Sequence, residues 1–282
     1  MEKIASKIFI DSGDSLETKS AKDILGFIDG QTTNPTLIAK NPEVQKYLEK
    51  GKKLTTQEAL EIYRKTVASI AKVTQGPISV QAIADKNTTP EEMIRQAKIY
   101  HNWSANVVVK FPMTTNGLAA AKIYASIGSV NLTLNFTQEQ AAAAYQATIK
   151  AKHLVFVSPF VGRLDDNGEN GMQLVTNELR MFEGSDHHVV VLTSSVRKYE
   201  HLLYALSLKS PAITIPLRII EEWKGNDFQM PDANYLYDST DLNPIPYKPI
   251  KLDTDWKKYN LHHPLTDAGI EKFMLDWKSI TK

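Results

Sequence analysis

Short apolar runs alternate with amphipathic stretches along most of the chain. The first run is KIFID (Lys7 to Asp11), and a weaker one follows at GFIDGQ (26–31). Further runs are PISVQAIA from Pro77, the valines 107–109 ending on Lys110, SVNLTLN (129–135), HLVFVS (153–158), HVVVLT (188–193) and AITIP (212–216). Their β-branched content and lack of helical spacing suit strands buried on both faces. Between them lie stretches with helical periodicity and end signals. Ser15 is placed to cap a helix running to about Ile24, and a helix-rich segment covers 42–73. Thr88 or Thr89 precedes Pro90 and two glutamates, GLAAAKIYASIG ends on a glycine, and TQEQAAAAYQATIKA, GMQLVTNELRMFEG and 197–208 complete the set. Eight strand-like runs alternating with helices predict a parallel sheet. The count favours a closed (β/α)8 TIM barrel over residues 1–224. An open, doubly wound sheet is the alternative, and the missing glycine-rich turn after the first run argues against its dinucleotide-binding version.

After Trp223 the pattern breaks. Residues 225–262 are rich in Pro, Asp, Asn and Tyr, show little periodicity and read as an irregular excursion whose tyrosines and Trp256 pack on the barrel or on a neighbour. A terminal helix at 263–282, with a cap signal at Thr266 or Asp267, carries Ile270, Phe273, Met274 and Trp277 in one stripe. Packing on the same domain or on a second copy would bury that stripe, and a homo-oligomer is expected.

Composition narrows the chemistry. The 282 residues include 33 basic and 32 acidic side chains, for a net charge of +1, so no global field draws in nucleic acid or an anionic membrane. No cysteine is present, which removes disulfides, thiolate metal sites and cysteine nucleophiles. No apolar run is long enough to span a bilayer and the first eleven residues lack a secretory signal, so a cytoplasmic setting is expected.

The informative feature is the polar residue at the carboxyl end of one run after another. Asp11 ends the first and Asn34 follows the second. Gln81 lies in the third, on the same face as Ser79. Lys110 ends the fourth, Asn131 and Thr133 share a face of the fifth, Ser158 ends the sixth and Ser195 follows the seventh. In a closed barrel these groups converge on one mouth, and buried polar groups without a purpose are costly. Lys110 is the amine among them; desolvation disfavours its ammonium, and a neutral amine attacks a ketone to form a Schiff base. Arg163 and Arg197, just after the sixth and seventh runs and near Ser195, suit an oxyanion. His187–His188 lies at the opposite barrel end and reads as structural, His262–His263 as a helix cap or surface element, and Asp165–Asp166 as a polar turn.

The segments IDSGD (10–14), TTNPTLIAK (32–40), VVVKFPMT (107–114), NLTLNF (131–136), VSPFVGRLDDNG (157–168), SSVR (194–197) and HPLTDAGIEKF (263–273) resemble, in order, the transaldolase family. The likeness is to its small single-domain branch, which also holds the fructose-6-phosphate aldolases. The resemblance implies a (β/α)8 fold and class I Schiff-base chemistry without metal or organic cofactor, acting on sugar phosphates in the pentose phosphate pathway. It makes Lys110 the Schiff-base lysine and Asp11 the proton shuttle. Asn34 and Asn131 would hold dihydroxyacetone hydroxyls, Thr133 a catalytic water, and Ser158 the three-carbon unit. Arg163, Ser195 and Arg197 would bind phosphate. Two positions point different ways. Transaldolases usually carry glutamate where this chain has Gln81, as the aldolase branch does not; that branch tends to carry tyrosine where this chain has the transaldolase-like Phe160. The expected function is therefore transfer of a dihydroxyacetone unit from fructose 6-phosphate or sedoheptulose 7-phosphate to an aldose phosphate. An aldolase releasing free dihydroxyacetone and a catalytically weak sugar-phosphate-binding protein are the alternatives.

Overall fold

The computed structural model describes residues 4–232 and 234–282, so the first three residues of the stretch read for a targeting signal lie outside it. Eight parallel strands close into a barrel in sequence order. They are β1 (Lys7–Asp11), β2 (Gly30–Thr32), β3 (Ile78–Gln81), β4 (Val107–Pro112), β5 (Ser129–Asn135), β6 (Val155–Pro159), β7 (Val189–Thr193) and β8 (Ala212–Ile215). The helices are α1 (Ser15–Leu25), α2 (Pro35–Ala39), α3 (Pro42–Glu49), α4 (Thr56–Ile70), α5 (Pro90–His101), α6 (Thr115–Tyr124), α7 (Gln138–Ala147), α8 (Val161–Asp166), α9 (Gly171–Phe182), α10 (Tyr199–Ser207), α11 (Leu217–Gly225) and α12 (Pro264–Ile280). The (β/α)8 architecture expected from the alternation is the one observed.

Several boundaries move, each for a local reason. Asp14, not Ser15, caps α1, accepting from the Leu16 N–H at 2.9 Å. Gly26 is not the start of β2; it closes α1 with φ of 79°, a backbone state that suits glycine. The segment 42–73 divides into α3 and α4 because Thr55 and Glu58 form a reciprocal capping box. Thr89 caps α5, and Thr114 starts α6 before Gly117. The last helix begins at His263, whose ring accepts from Leu265 N–H, and Pro264 occupies its first turn. Thr266, read as a cap, is buried and donates to the Leu134 carbonyl at 3.0 Å.

The barrel interior is stratified. Near its amino end Phe9, Val108, Phe156, Leu192 and Ala212 form an apolar plug, with Phe9 and Phe156 edge to face at 5.8 Å. Above it the inward positions turn polar. The outer core packs the helices on the sheet, and a separate apolar cluster (Leu134, Phe136, Phe160, Leu164, Leu174, Ile270, Phe273) roofs one side of the mouth.

The excursion is extended and pinned to the outside of α7 and α9. Gln138 exchanges hydrogen bonds with the Lys248 backbone (3.1 and 2.8 Å), Gln173 and Asn177 bracket Ile245 (2.6 and 2.7 Å), and Arg180 lies over the Tyr247 ring at 4.0 Å. Trp256 and Tyr237 are buried against the chain's own barrel. The excursion then delivers α12 across the mouth, where Ile270, Phe273 and Trp277 are buried in the same chain and Met274 is only partly covered. Contact with a second copy is therefore not needed to bury that stripe. Among the described residues no helix is long and apolar enough to cross a membrane.

Candidate active site

Register explains why the strand-end residues meet. Gln81 pairs with Lys110, Lys110 with Asn131, and Asp11 with Thr32, placing them at neighbouring levels. Asp11, Thr32 and Gln81 end their strands, whereas β4 runs on past Lys110 to Pro112, and β5 past Asn131 to Asn135, so Lys110 does not end its run as expected. Lys110 is 2% exposed, and its amine donates to the Thr33 carbonyl at 3.4 Å. Burial pushes its pKa down to about 8; nearby Asp11 pulls the other way, and Arg163 lowers it further. Asp11 is shifted upward by burial, which prevails over the lowering effects of Lys110 and of a Thr32 hydroxyl at 2.5 Å. Desolvation thus acts on both groups in the direction that favours their neutral forms. Thr214 on β8 completes the chain through a hydroxyl–hydroxyl hydrogen bond to Thr32 at 2.6 Å.

Asn131 is fixed by two neighbours. Ser158 donates to its side-chain oxygen at 2.7 Å, and its amide donates to Ser79 Oγ at 3.1 Å. This sets the orientation of the amide. Gln81 is held from behind. Its backbone N–H donates to the Tyr63 hydroxyl at 3.1 Å, and that hydroxyl also bonds Thr33. The side-chain oxygen of Gln81 and the hydroxyl of Thr133 are buried and find no hydrogen-bond partner among the described residues. Buried groups of this kind ordinarily carry a partner, so both are free to serve a bound molecule or water. Asn34 does double work, because its side-chain oxygen caps α2 through Leu37 N–H at 3.0 Å.

The second pole lies one side of the mouth away. Phe160 and Phe273 flank the Arg163 guanidinium, with centroids 5.5 and 5.3 Å from its carbon. Burial, with Arg197 adding repulsion and Asp276 opposing it, brings the Arg163 pKa down to about 10. Arg197 pairs with Asp166 and sits behind Ser195, whose φ of 59° turns the loop sharply. The two loops are sewn together: Val161 and Gly162 N–H groups donate to the Ser194 and Ser195 carbonyls at 3.1 and 3.0 Å. A Cβ on Gly162 would fall 2.2 Å from the Ser195 carbonyl oxygen, so this close approach requires glycine. Those bonds occupy the N–H groups of Val161 and Gly162, so neither is available to an anion at this pole.

A cavity of about 190 Å³ joins the two poles, lined among others by Asp11, Asn34, Lys110, Phe160, Arg163, Ser195 and Arg197. Asn131, Ser158, Gln81 and Thr133 do not line it; they lie beside or behind Lys110 along the strands. Thr32, Thr214 and Phe273 also line it and were not singled out in the sequence. Thr32 and Thr214 pass for ordinary strand threonines in the sequence, and Phe273 stands there only as one residue of an apolar stripe. Asp165 is not in a polar turn. It lies in α8, and its carboxylate is largely buried against His201, Lys198 and Tyr237. Among the described residues no group of three or more His, Asp or Glu side chains is placed to hold a metal ion.

Comparison with known proteins places the whole chain in one family. Residues 8–282 match the family model "Transaldolase/Fructose-6-phosphate aldolase". The chain belongs to this family. A probable transaldolase of Anaeromyxobacter sp. (strain Fw109-5) is 33% identical over 277 residues, covering 98% of this chain and 99% of that one. Another, from Bdellovibrio bacteriovorus (strain ATCC 15356 / DSM 50701 / NCIMB 9529 / HD100), is also 33% identical over 277 residues, with the same coverage. The protein is thus an enzyme of the transaldolase/aldolase family, and the match takes in the excursion and α12 as well as the barrel.

Proposed function

We propose that this family member is a transaldolase that moves a dihydroxyacetone unit between sugar phosphates through a Schiff base on Lys110. The observation that carries the reading is the buried amine of Lys110, its pKa brought down to about 8 beside Asp11, in a cavity whose far end holds Arg163 and Arg197. A ketose phosphate fits this polarity, with its C2 ketone at the amine and its phosphate at the arginines. Neutral Lys110 attacks C2, and loss of water gives an iminium that serves as an electron sink. Asp11 takes the C4 hydroxyl proton as the C3–C4 bond breaks, its raised pKa suiting it to hold that proton. The electron pair remains as an enamine, and the aldehyde leaves. The free amide of Asn34, on the cavity wall, holds a hydroxyl of the three-carbon unit, and Asn131, oriented by Ser158 and Ser79 beside Lys110, supports the unit once it is bound to the amine. The unpartnered Thr133 hydroxyl and Gln81 oxygen hold the water lost and regained at C2. The phosphate contact orients the ketose and is made equally before and during reaction.

One observation favours a second reading. Gln81 cannot act as a base, so the enamine's fate rests on a water that Gln81 orients but does not deprotonate. An aldolase that releases free dihydroxyacetone follows if that water protonates and hydrolyses the adduct. Incubation with fructose 6-phosphate, with and without erythrose 4-phosphate, separates the two. Glyceraldehyde 3-phosphate appearing only with the acceptor supports transaldolase; its appearance with free dihydroxyacetone and no acceptor supports aldolase. No release in either case, with no borohydride-trapped adduct at Lys110, sinks both.

A further inference from the structure

Two like-charged arginines from different loops must be held facing one cavity, and neither is held by the other. Besides the backbone bonds of Val161 and Gly162 to Ser194 and Ser195 and the Arg197–Asp166 pair, a buried relay outside the cavity ties the two segments. The Arg197 N–H donates to His201 Nδ1 at 3.2 Å, so the proton of this imidazole sits on Nε2. Nε2 lies 2.8 Å from Asp165 Oδ2, and the His201 side chain is 1% exposed. Asp165 sits two residues past Arg163 on α8, and Gly171 N–H donates to its other oxygen at 3.0 Å. The Tyr237 hydroxyl, from the excursion, donates to the same Asp165 oxygen, while Lys198 lies 3.2 Å from that oxygen and 4.8 Å from the Tyr237 ring centroid. Burial would raise the Asp165 pKa, but hydrogen bonds from His201 and Tyr237 outweigh it and hold the carboxylate at about 2. Asp165 is therefore ionised at neutral pH, with both of its oxygens bonded.

We propose that Tyr237, acting through Asp165 and His201, is a positioning residue that sets the separation of Arg163 and Arg197 and so the enzyme's preference for phosphorylated over unphosphorylated substrates. This rests on the reading above that the arginine pair receives the phosphate. It gives the excursion a part in substrate choice: most of its contacts fasten it to α7 and α9, but Tyr237 reaches the helix and loop that carry the anion pole. A merely structural tyrosine would alter stability and both ends of the cavity together. A positioning one alters the anion end alone.

The test uses the full chain and Tyr237→Phe, which removes one hydroxyl and keeps the ring under Lys198. Inorganic phosphate binding is measured by calorimetry, and borohydride trapping of dihydroxyacetone on Lys110 by mass spectrometry. Phosphate affinity is expected to fall about tenfold, the KM for fructose 6-phosphate to rise in parallel with kcat nearly kept, and dihydroxyacetone trapping to stay unchanged. His201→Phe, which removes the acceptor for Arg197 N–H, should lose phosphate affinity in the same way. Unchanged phosphate affinity in both variants overturns the proposal, as does an equal loss of phosphate binding and trapping, or a wild-type protein that binds no phosphate. Phosphate binding without any Lys110 adduct in the wild type would sink the Schiff-base reading and leave the positioning claim to be decided by the variants.

Discussion

The two ends of this barrel are equally buried and oppositely built. At the amino end Phe9, Val108, Phe156, Leu192 and Ala212 are no more than 3% exposed, and they present no side-chain hydrogen-bonding atom. At the carboxyl end Lys110, Asn131, Ser158, Gln81 and Thr133 are no more than 4% exposed, and two of them carry unpartnered polar atoms. The same strands run through both layers, so burial alone does not separate support from chemistry. The difference lies in what each layer does with its desolvation: below it stabilises the fold, above it shifts ionisation and leaves bonds unmade.

The sharpest break in that comparison is Lys110→Met. Borohydride trapping and turnover should both fall to background, while the folded protein becomes more stable than the native one. The sign follows from linkage. The amine has a pKa of about 8 in the folded protein against 10.5 when unperturbed, so folding penalises its protonated form. The penalty is full below about pH 8 and fades as pH rises toward 10.5. Methionine never pays it, so the stability gain should be largest at neutral pH and vanish in alkali, as read by urea midpoints across that range. A variant that loses stability uniformly with pH would place Lys110 in the supporting layer. Asp11→Asn should reduce kcat by about 10²–10⁴-fold and leave adduct formation with dihydroxyacetone, because the lost step is proton transfer at C4.

Phe156→Ala attacks the other layer. Removing this ring from the plug should cost about 3–5 kcal/mol in chemical denaturation, with trapping at Lys110 retained in the protein that remains folded. A comparable loss of trapping per folded molecule would mean that the plug also sets the geometry of the mouth.

The pH dependence of the native enzyme gives a smaller effect. Schiff-base formation needs the neutral amine, so its rate should climb as pH passes through about 8 and level off above, rather than rising toward 10.5 as for an exposed lysine. Stopped-flow adduct formation with dihydroxyacetone measures this directly.

How much of this was legible follows the same division. The alternation of runs carries the barrel because a strand covered on both faces must be apolar along its length, and a polar interruption such as Lys110 or Asn131 then stands out. Groups that serve through a neighbour leave no such mark. Thr32 and Thr214 look like ordinary strand threonines until register joins them to Asp11. Phe273 falls in a helical stripe that would be apolar wherever the helix packed; only the fold puts it against Arg163. Asp165 reads as a turn residue because its partners His201 and Tyr237 are both 36 or more positions away. The excursion has no periodicity because its backbone is held by side chains of α7 and α9 rather than by its own pattern.

The smallest expected effect comes from a second lysine on the same sheet. Lys7 begins β1 at the amino end as Lys110 lies near the end of β4, but its side chain is 68% exposed and pairs with Asp29 at 3.3 Å. An exposed pair of this kind contributes about 0–1 kcal/mol, weakened further by salt. Lys7→Met should therefore shift the urea midpoint slightly or not at all, with no growth of the difference between neutral and alkaline pH, and leave trapping at Lys110 intact. The same substitution at the two ends of the barrel thus isolates position from chemistry: one lysine lost with its reaction and a pH-dependent gain in stability, the other lost with almost nothing. If Lys7→Met reproduced the pH-dependent stabilisation of Lys110→Met, the gain would come from removing a positive charge anywhere on the barrel, and the desolvation assigned to the carboxyl end would not be its cause.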